Sequence, residues 1–204
     1  MDKPGGQAER PTSAEQGVAT RKAIVDAALA LIGEVGWGQV TTRAIASRAG
    51  VPHGAVGYHF NGKAELLREA ATAATTQALA EPITLARHAG SLAELVEGTF
   101  AWYSGGGISD PSVALLLEVT REAVRDDALR ESFASVLRDY RAALTDLVRA
   151  DQERGAVPPD ADSAGTAAVV AALMDGLLLH LILDPHLDIQ ATASAVRTLL
   201  GGNR

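Results

Sequence analysis

The chain has no cysteine among its 204 residues. This absence excludes disulfides, zinc sites built from thiolates and cysteine nucleophiles, and it fits a reducing compartment. Residues 1–19 also lack an apolar run, so they do not predict a secretory signal peptide. The polar–apolar alternation that is typical of half-buried strands is missing too, and no internal repeat is visible. We therefore predict a cytoplasmic, all-α protein.

Basic residues are scarce, with 18 Lys and Arg against 25 Asp and Glu and a net charge of −7. The deficit is uneven along the chain. Residues 20–68 carry six basic and three acidic side chains, whereas residues 69–204 carry ten and nineteen. Such polarity suits a molecule that presents one end to phosphates. An ordinary solvated helical surface also produces a small excess of this kind.

Apolar periodicity predicts four helices before residue 82. Residues 1–19 have no such periodicity and are predicted to be a disordered tail. The predicted helices are one that Thr20 caps and that runs to Val35, then residues 41–49, residues 53–60, and a last one from Lys63 to about Ala80 that Pro82 ends.

The middle of this segment has the spacing of a helix-turn-helix. Ala46 is small, so a second helix can cross closely over the first. Gly50 can adopt the left-handed conformation that ends a helix. Val56 supplies the apolar side chain that the second helix turns inward. A helix held in this way can stand clear of the body and enter a major groove.

Residues 83–204 read as a second domain made of helices. Predicted helices cover 92–103, 111–124, 126–154, 164–183 and 189–200. The helix at 164–183 is long and apolar enough to cross a membrane, but Asp175 lies near its middle and its flanks lack basic residues. We predict instead that it is buried on nearly all sides with the help of a partner chain, and no membrane association is expected.

Several motifs in residues 20–68 occur together: a helix ending in glycine and an aromatic residue, the run TTRAIASRAGV, a short helix ending in YHF, and a lysine that opens the next helix. In this combination the segment resembles the DNA-binding domain of the TetR family of bacterial transcriptional regulators. The resemblance implies an N-terminal three-helix helix-turn-helix domain at 20–68, its fourth helix continuing to about 80 as a connector. It also implies a larger C-terminal helical ligand-binding and dimerisation domain at 83–204.

The resemblance also implies roles for individual residues in DNA binding. The side chains expected at phosphates are Thr42, Tyr58, His59 and Lys63. Those expected at base edges are Arg43, His53, Ala55 and Gly57, with Arg43 the best candidate for a bidentate contact to guanine. The commonest family pattern has tyrosine where this chain has Gly57, so one contact is missing and the base preference is open.

In the second domain the resemblance implies a pocket for a small-molecule effector and a homodimer interface. For the pocket we select large apolar and polar side chains, namely Phe100, Trp102, Tyr103, Leu117, Glu118, Arg121, Met174 and His180. Glu118 and Arg121 are also spaced to form an ordinary helix ion pair. For the interface we select the seam of the long helix and the apolar helix, namely Tyr140, Leu144, Leu147, Leu173, Gly176, Leu177 and Leu181.

Other chemistry has weaker support. His180, Asp184, His186 and Asp188 are metal-binding residue types, but Pro185 breaks the helix between them and a solvated loop explains them as well. No metal, cofactor or catalytic constellation is assigned, and no enzymatic activity is predicted. The predicted function is a homodimeric repressor that binds a palindromic operator in double-stranded DNA and is released by a small-molecule effector. The alternative is an all-helical small-molecule-binding protein or enzyme whose basic head contacts a protein partner.

Overall fold

The computed structural model describes residues 12–201, so residues 1–11 of the predicted tail lie outside it. The chain forms two compact units, Met1–Ala71 and Thr72–Arg204. Within the described residues all regular structure is helical and no strand occurs, as the sequence predicted. The α-helices are α1 Ser13–Val35, α2 Thr42–Ala49, α3 His53–His59, α4 Lys63–His88, α5 Leu92–Ser104, α6 Pro111–Ala123, α7 Asp127–Glu153, α8 Ser163–Leu183 and α9 Ile189–Gly201.

Helix α1 begins at Ser13, so the prediction of a tail up to residue 19 is wrong for residues 13–19. Thr12 is the N-cap. Its hydroxyl oxygen accepts a hydrogen bond from the Glu15 N–H at 3.3 Å, and the Glu15 carboxylate accepts one from the Thr12 N–H at 2.6 Å. This capping box satisfies N–H groups that have no partner within the helix. Thr20, the predicted cap, instead donates its hydroxyl to the Gln16 carbonyl inside the helix.

The helix-turn-helix of the first unit is confirmed in detail. Thr41 caps α2, its hydroxyl accepting a hydrogen bond from the backbone N–H three residues on at 3.1 Å. Gly50 ends α2 with φ 66° and ψ 28°, the left-handed region that favours glycine. Pro52 directly precedes α3, where its missing N–H costs nothing. Ala46 and Val56 are buried where the two helices meet.

Helix α4 does not end before Pro82 but passes through it to His88, which corrects the predicted end at Ala80. Proline inside a helix costs about 3 kcal/mol because it lacks the N–H group and its ring meets the preceding turn. The turn that follows is held by packing. Ala86 is buried, and Ile83 and Leu85 pack against the same apolar cluster. Burial of this turn offsets the local cost of the proline.

Two apolar clusters form the core of the second unit. The α7 cluster joins the end of α4 to α5, α7 and α8 and consists of Ala86, Leu92, Leu95, Tyr140, Ala143, Leu144, Leu147, Val148, Val157, Ala167, Val170 and Ala171. The α9 cluster joins α5, α8 and α9 and consists of Val96, Phe100, Tyr103, Met174, Leu181, Ala193 and Val196. Helices α5 and α8 contribute to both clusters and so tie them together.

Helix α8 is long and apolar enough to span a membrane by length and composition, and 28% of its most apolar window is buried within the chain. The inward side packs into both clusters through residues such as Val170 and Met174. The opposite side, which we call the outer face of α8, consists of Ala168, Val169, Ala172, Gly176, Leu179 and Leu183. Of these, Val169, Leu179 and Leu183 are 66%, 42% and 72% exposed.

The chain's own core covers part of the predicted dimer interface. Tyr140, Leu144, Leu147 and Leu181 are at most 7% exposed inside the chain's own clusters, so they offer little surface to a partner chain. Leu173 and Leu177 are half-buried against the α9 cluster. A seam at helical spacing identifies a buried face but not the chain that covers it. Of the predicted set, only Gly176 lies on the outer face of α8.

Asp151, near the end of α7, is a carboxylate at only 2% exposure. One oxygen accepts a hydrogen bond from the Leu92 N–H at 2.8 Å, at the first turn of α5. The other accepts one from the Arg154 guanidinium at 2.6 Å. Arg154 also donates to the Gly90 carbonyl, so the end of α7 is tied to the loop before α5. These contacts satisfy a buried charge and an N–H group that the helix leaves without a partner.

Candidate nucleic-acid interface and effector region

The residues predicted to bind DNA lie at α3 and at the beginnings of α2 and α4. Thr42 is the first residue of α2 and Lys63 the first of α4. The remaining residues of this predicted surface are exposed or half-buried: Arg43, His53, Gly57 and Tyr58 are exposed, and Ala55 and His59 are half-buried. Helix N-termini carry free N–H groups and the positive end of the helix dipole, and both attract a phosphate. Hydroxyl and ammonium side chains at the same place add further hydrogen-bond donors.

Three basic side chains of the first unit are neutralised by acidic neighbours. Lys22 pairs with Asp26 at 2.6 Å. The Arg48 guanidinium forms two hydrogen bonds with the Glu34 carboxylate, at 2.5 and 2.7 Å. Arg21 is paired with Glu69 in the same bidentate way. The segment's charge excess is therefore not spread evenly over its surface.

Arg43 and Lys63 differ from these bases. Across residues 12–201 neither of them takes part in an ion pair. Arg43 is on the first turn of α2, and Lys63 opens α4 immediately after the turn that follows α3. The unneutralised cations of the helix-turn-helix segment thus lie on the helices before and after its second helix, and such cations are what phosphate and base-edge recognition uses.

The two aromatic residues at the end of α3 have opposite environments. Phe60 is 3% exposed, so its ring packs in the core of the first unit. Tyr58 is 86% exposed and its ring meets the His59 ring edge to face at 5.1 Å. Because its side chain is already in water, the Tyr58 hydroxyl can donate a hydrogen bond to a phosphate without any rearrangement of the core. Tyr58 therefore remains a candidate for phosphate contact.

Gly54 and Gly57 are not required by the packing of α3. A Cβ atom added at either position would meet no other atom within 4 Å. Each glycine nevertheless weakens a helix by about 1 kcal/mol relative to alanine. Internal crowding does not explain this cost. Positions without side chains on this face of α3 let the backbone or the base edges of DNA approach closely, which is a sufficient reason for the two glycines.

The residues predicted to bind an effector fall into two groups. Phe100, Tyr103 and Met174 meet in the α9 cluster, where the Tyr103 hydroxyl donates a hydrogen bond to the Met174 carbonyl at 3.0 Å. The Phe100 and Tyr103 rings are 5.5 Å apart, edge to face. Trp102 lies beside Tyr103 at 5.7 Å and is 37% exposed. This group is a compact set of aromatic rings.

The other predicted effector residues do not join that group. Leu117 is 40% exposed on α6, and His180 is exposed on α8. Glu118 and Arg121 form the predicted helix ion pair at 2.8 Å, and Arg121 also pairs with Glu122. None of these side chains belongs to the α9 cluster, and their role in effector binding stays a prediction.

Two residues near the aromatic group carry electrostatic signals that sequence reasoning did not use. Burial raises the pKa of Tyr140 to about 12, and the charge of Asp175 contributes. Burial, with smaller contributions from Tyr140 and Asp175, also raises the pKa of Tyr103. The Asp175 residue is exposed in the single chain. Its carboxyl group is nevertheless partly desolvated by the surrounding protein, and this desolvation raises the pKa of Asp175. A lone acidic residue in the most apolar helix was the signal available in the sequence.

A separate cleft of 330 Å³ lies between the end of α4 and α7. Its lining combines small apolar side chains with Arg87, Asp139 and Asp146. None of the predicted effector residues lines it. The cleft and the aromatic group are therefore two distinct features of the second unit.

Of the residues considered for metal binding, the two aspartates serve as local caps. Asp184 accepts a hydrogen bond from the His186 N–H at 3.0 Å, and Asp188 accepts two from the first turn of α9. In the part of the chain from residue 12 to 201, no three His, Asp or Glu side chains are grouped so that they could hold a metal ion.

Comparison with known proteins agrees with this architecture. The sequence profile of the "Bacterial regulatory proteins, tetR family" matches residues 24–70, and that of the "BetI-type transcriptional repressor, C-terminal" matches residues 101–202. The HTH-type transcriptional regulator BetI of Agrobacterium fabrum is 32% identical over 161 residues, which cover 78% of this chain and 75% of that protein. Such relatives are regulators of transcription rather than enzymes.

Solved structures show the same fold. A transcriptional regulator from Streptomyces coelicolor A3(2) is 31% identical, with a TM-score of 0.73 over 90% of this chain and 99% of that chain. A regulator from Saccharomonospora viridis, solved in complex with choline, is 20% identical with a TM-score of 0.72 over 91% of this chain and 97% of that chain. With a helix-turn-helix head and a helical domain of the BetI repressor type, the chain belongs to the TetR family of bacterial DNA-binding transcriptional regulators.

Proposed function

We propose that the protein is a homodimeric, cytoplasmic repressor that binds a palindromic operator and is released by a small-molecule effector. The observation that carries the DNA-binding role of this surface is the pair of unneutralised cations, Arg43 and Lys63, beside the exposed helix α3. In a dimer, two such heads read half-sites about 34–36 Å apart, one turn of the duplex. Effector binding acts through α4, which runs from the first unit into the second.

Replacing Lys63 by alanine tests the phosphate contact. We expect weaker binding to all DNA sequences and a salt dependence of log K that is flatter by about 0.9 per subunit, because one fewer counterion is released. Fluorescence anisotropy at a series of salt concentrations measures this slope. Lys22→Ala is the matched control, since Lys22 is already paired with Asp26 and is expected to leave the slope unchanged. An unchanged slope in Lys63→Ala would refute the phosphate role.

The outer face of α8 supports a second copy of the chain as its partner. The residues of this face are apolar, with the exposed Asp175 and His180 beside them on the same helix, and Ala172 and Gly176 are small enough for close helix approach. A Cβ added at Gly176 would meet nothing within 4 Å in the single chain, so this space is open to a neighbour. Two copies related by a two-fold axis present identical faces to each other, which makes the contact self-complementary.

For the effector we propose a small organic cation that binds where Asp175 borders Tyr103 and Tyr140. A carboxylate beside aromatic rings is the combination that attracts an ammonium group. The choline complex of the Saccharomonospora viridis regulator supports this class. A bound cation would also stabilise the ionised form of Asp175, whose carboxyl group desolvation now disfavours.

Asp175→Asn separates this role from a purely structural one. The raised pKa means that the charged form of Asp175 destabilises the fold, so the amide variant should be at least as stable as wild type near pH 7. As pH falls through the raised pKa towards the ordinary value for aspartate, wild type regains stability and the advantage of the variant disappears. Thermal melts at several pH values measure this difference.

The same variant should no longer be released from DNA by choline, which an anisotropy titration measures. Asp139→Asn in the α4–α7 cleft is the control and is expected to keep the response. Loss of the response only in Asp139→Asn would move the effector site to the cleft. A wild-type protein that choline does not release would contradict the proposed effector class.

A further inference from the structure

Arg21 contributes to the positive charge of the head, but the structure gives that charge an internal partner. The guanidinium donates two hydrogen bonds to the Glu69 carboxylate, the second of them at 2.5 Å. Arg21 is on α1 and Glu69 is on α4. Their side chains are 40% and 34% exposed, so the pair is only partly open to solvent. A bidentate pair of this kind fixes both distance and angle between two helices.

The same guanidinium also lies over the ring of Phe60, with 4.6 Å between Cζ and the ring centroid. This distance is within the range of a cation–π contact. Phe60 is the residue that ends α3, and its own N–H donates to the Val56 carbonyl at 3.0 Å. The edge of the Arg21 guanidinium therefore contacts Glu69 on α4, and its flat face contacts Phe60 at the end of α3.

We propose that Arg21 is a positioning residue that sets the orientation of α3 through Phe60 and Glu69 without touching DNA. The inference rests on the proposed role of α3 as the helix that reads the operator. Of the described elements of the head, α1, α4 and the end of α3 all meet at this one guanidinium. Lysine cannot replace it, because an ammonium group has neither the two parallel donors nor the flat face.

The competing role for Arg21 is a direct phosphate contact, and the two roles predict opposite results. A phosphate ligand would keep its affinity and its salt slope in Arg21→Lys, because the charge remains. Removal of its internal competitor in Glu69→Gln would then strengthen DNA binding. For a positioning residue, both variants weaken binding to the preferred sequence and neither changes the salt slope.

The experiment uses the full chain and the DNA sequence that wild type enriches from a random library. We expect Arg21→Lys and Glu69→Gln each to lower the preference for that sequence over random DNA by about tenfold, with binding to random DNA and the salt slope unchanged. The double variant should be no worse than either single variant, because both remove the same contact. Circular dichroism melts establish that each variant is folded at the assay temperature.

Arg48→Lys and Glu34→Gln are the matched controls. They break another bidentate pair of the head, in which the arginine is 38% exposed, as Arg21 is 40% exposed, but in which the described residues show no cation–π contact, and they should keep the sequence preference. Wild-type preference in Arg21→Lys, tighter binding by Glu69→Gln, or an equal loss in the controls would each overturn the positioning role. A wild type that enriches no sequence would instead overturn the proposed function, and this inference with it.

Discussion

Asp151→Ala is expected to lower the free energy of unfolding by about 3 kcal/mol. The variant leaves the Leu92 N–H buried without an acceptor and removes the anchor of Arg154. An orphaned buried donor alone costs about 1–3 kcal/mol, and hydrogen bonds to a charged group are stronger than those between neutral groups. Urea denaturation followed by circular dichroism measures the loss as a shift of the midpoint at constant slope.

The controls for this prediction are on the same helix. Asp146 is exposed and pairs with Arg149 at 3.2 Å, so Asp146→Ala should change stability by less than about 0.5 kcal/mol. Asp151→Asn keeps one oxygen that can accept from Leu92 and should fall between the two. If Asp151→Ala were as mild as Asp146→Ala, the buried carboxylate would not be what ties α7 to the beginning of α5.

Leu179→Asp is expected to abolish dimerisation at micromolar concentration. The substitution places a carboxylate on the outer face of α8, and burial of this face against a second copy would leave the charge of each subunit without a partner. Sedimentation equilibrium should give a monomeric mass. Operator affinity should fall by about 10²–10⁴-fold, because the second half-site no longer benefits from the effective concentration that a linked head provides.

Leu117→Asp is the matched control for Leu179→Asp. Both are leucines in helices of the second unit, with 40% and 42% of their surface exposed. Any general effect of a new surface carboxylate on folding should therefore be shared. A dimeric Leu179→Asp variant would contradict the proposed interface, and a monomeric Leu117→Asp variant would move it towards α6.

Local signals in the sequence predicted the head well because they act within a few residues. Thr41 caps the beginning of α2 because a short polar side chain is enough for that role. Gly50 ends α2 in the left-handed conformation because it has no Cβ atom. The capping box of Thr12 and Glu15 is equally local, and the spacing of threonine and glutamate was a readable signal for the start of α1. The prediction missed it because the flanking residues are polar.

Signals that depend on distant parts of the chain were read less well. Pro82 is a local helix breaker, but packing of the next turn against the α7 cluster keeps the helix intact. Leu144 and Leu147 belong to an apolar seam that no single sequence can assign to an internal or an external partner. Arg21 was counted as a charge, whereas its geometry shows a structural contact, since its partner is distant in the sequence.

The two bare positions of α3 have a consequence for how such a regulator acquires new targets. Because a Cβ atom at position 54 or 57 would meet no other atom within 4 Å, small residues can be introduced there without crowding, and alanine adds about 1 kcal/mol per site. After gene duplication, one copy can therefore change its operator through these positions while remaining folded at every step. Operator choice in this chain is separable from fold maintenance, which also makes positions 54 and 57 the natural sites for selecting variants with new DNA specificity.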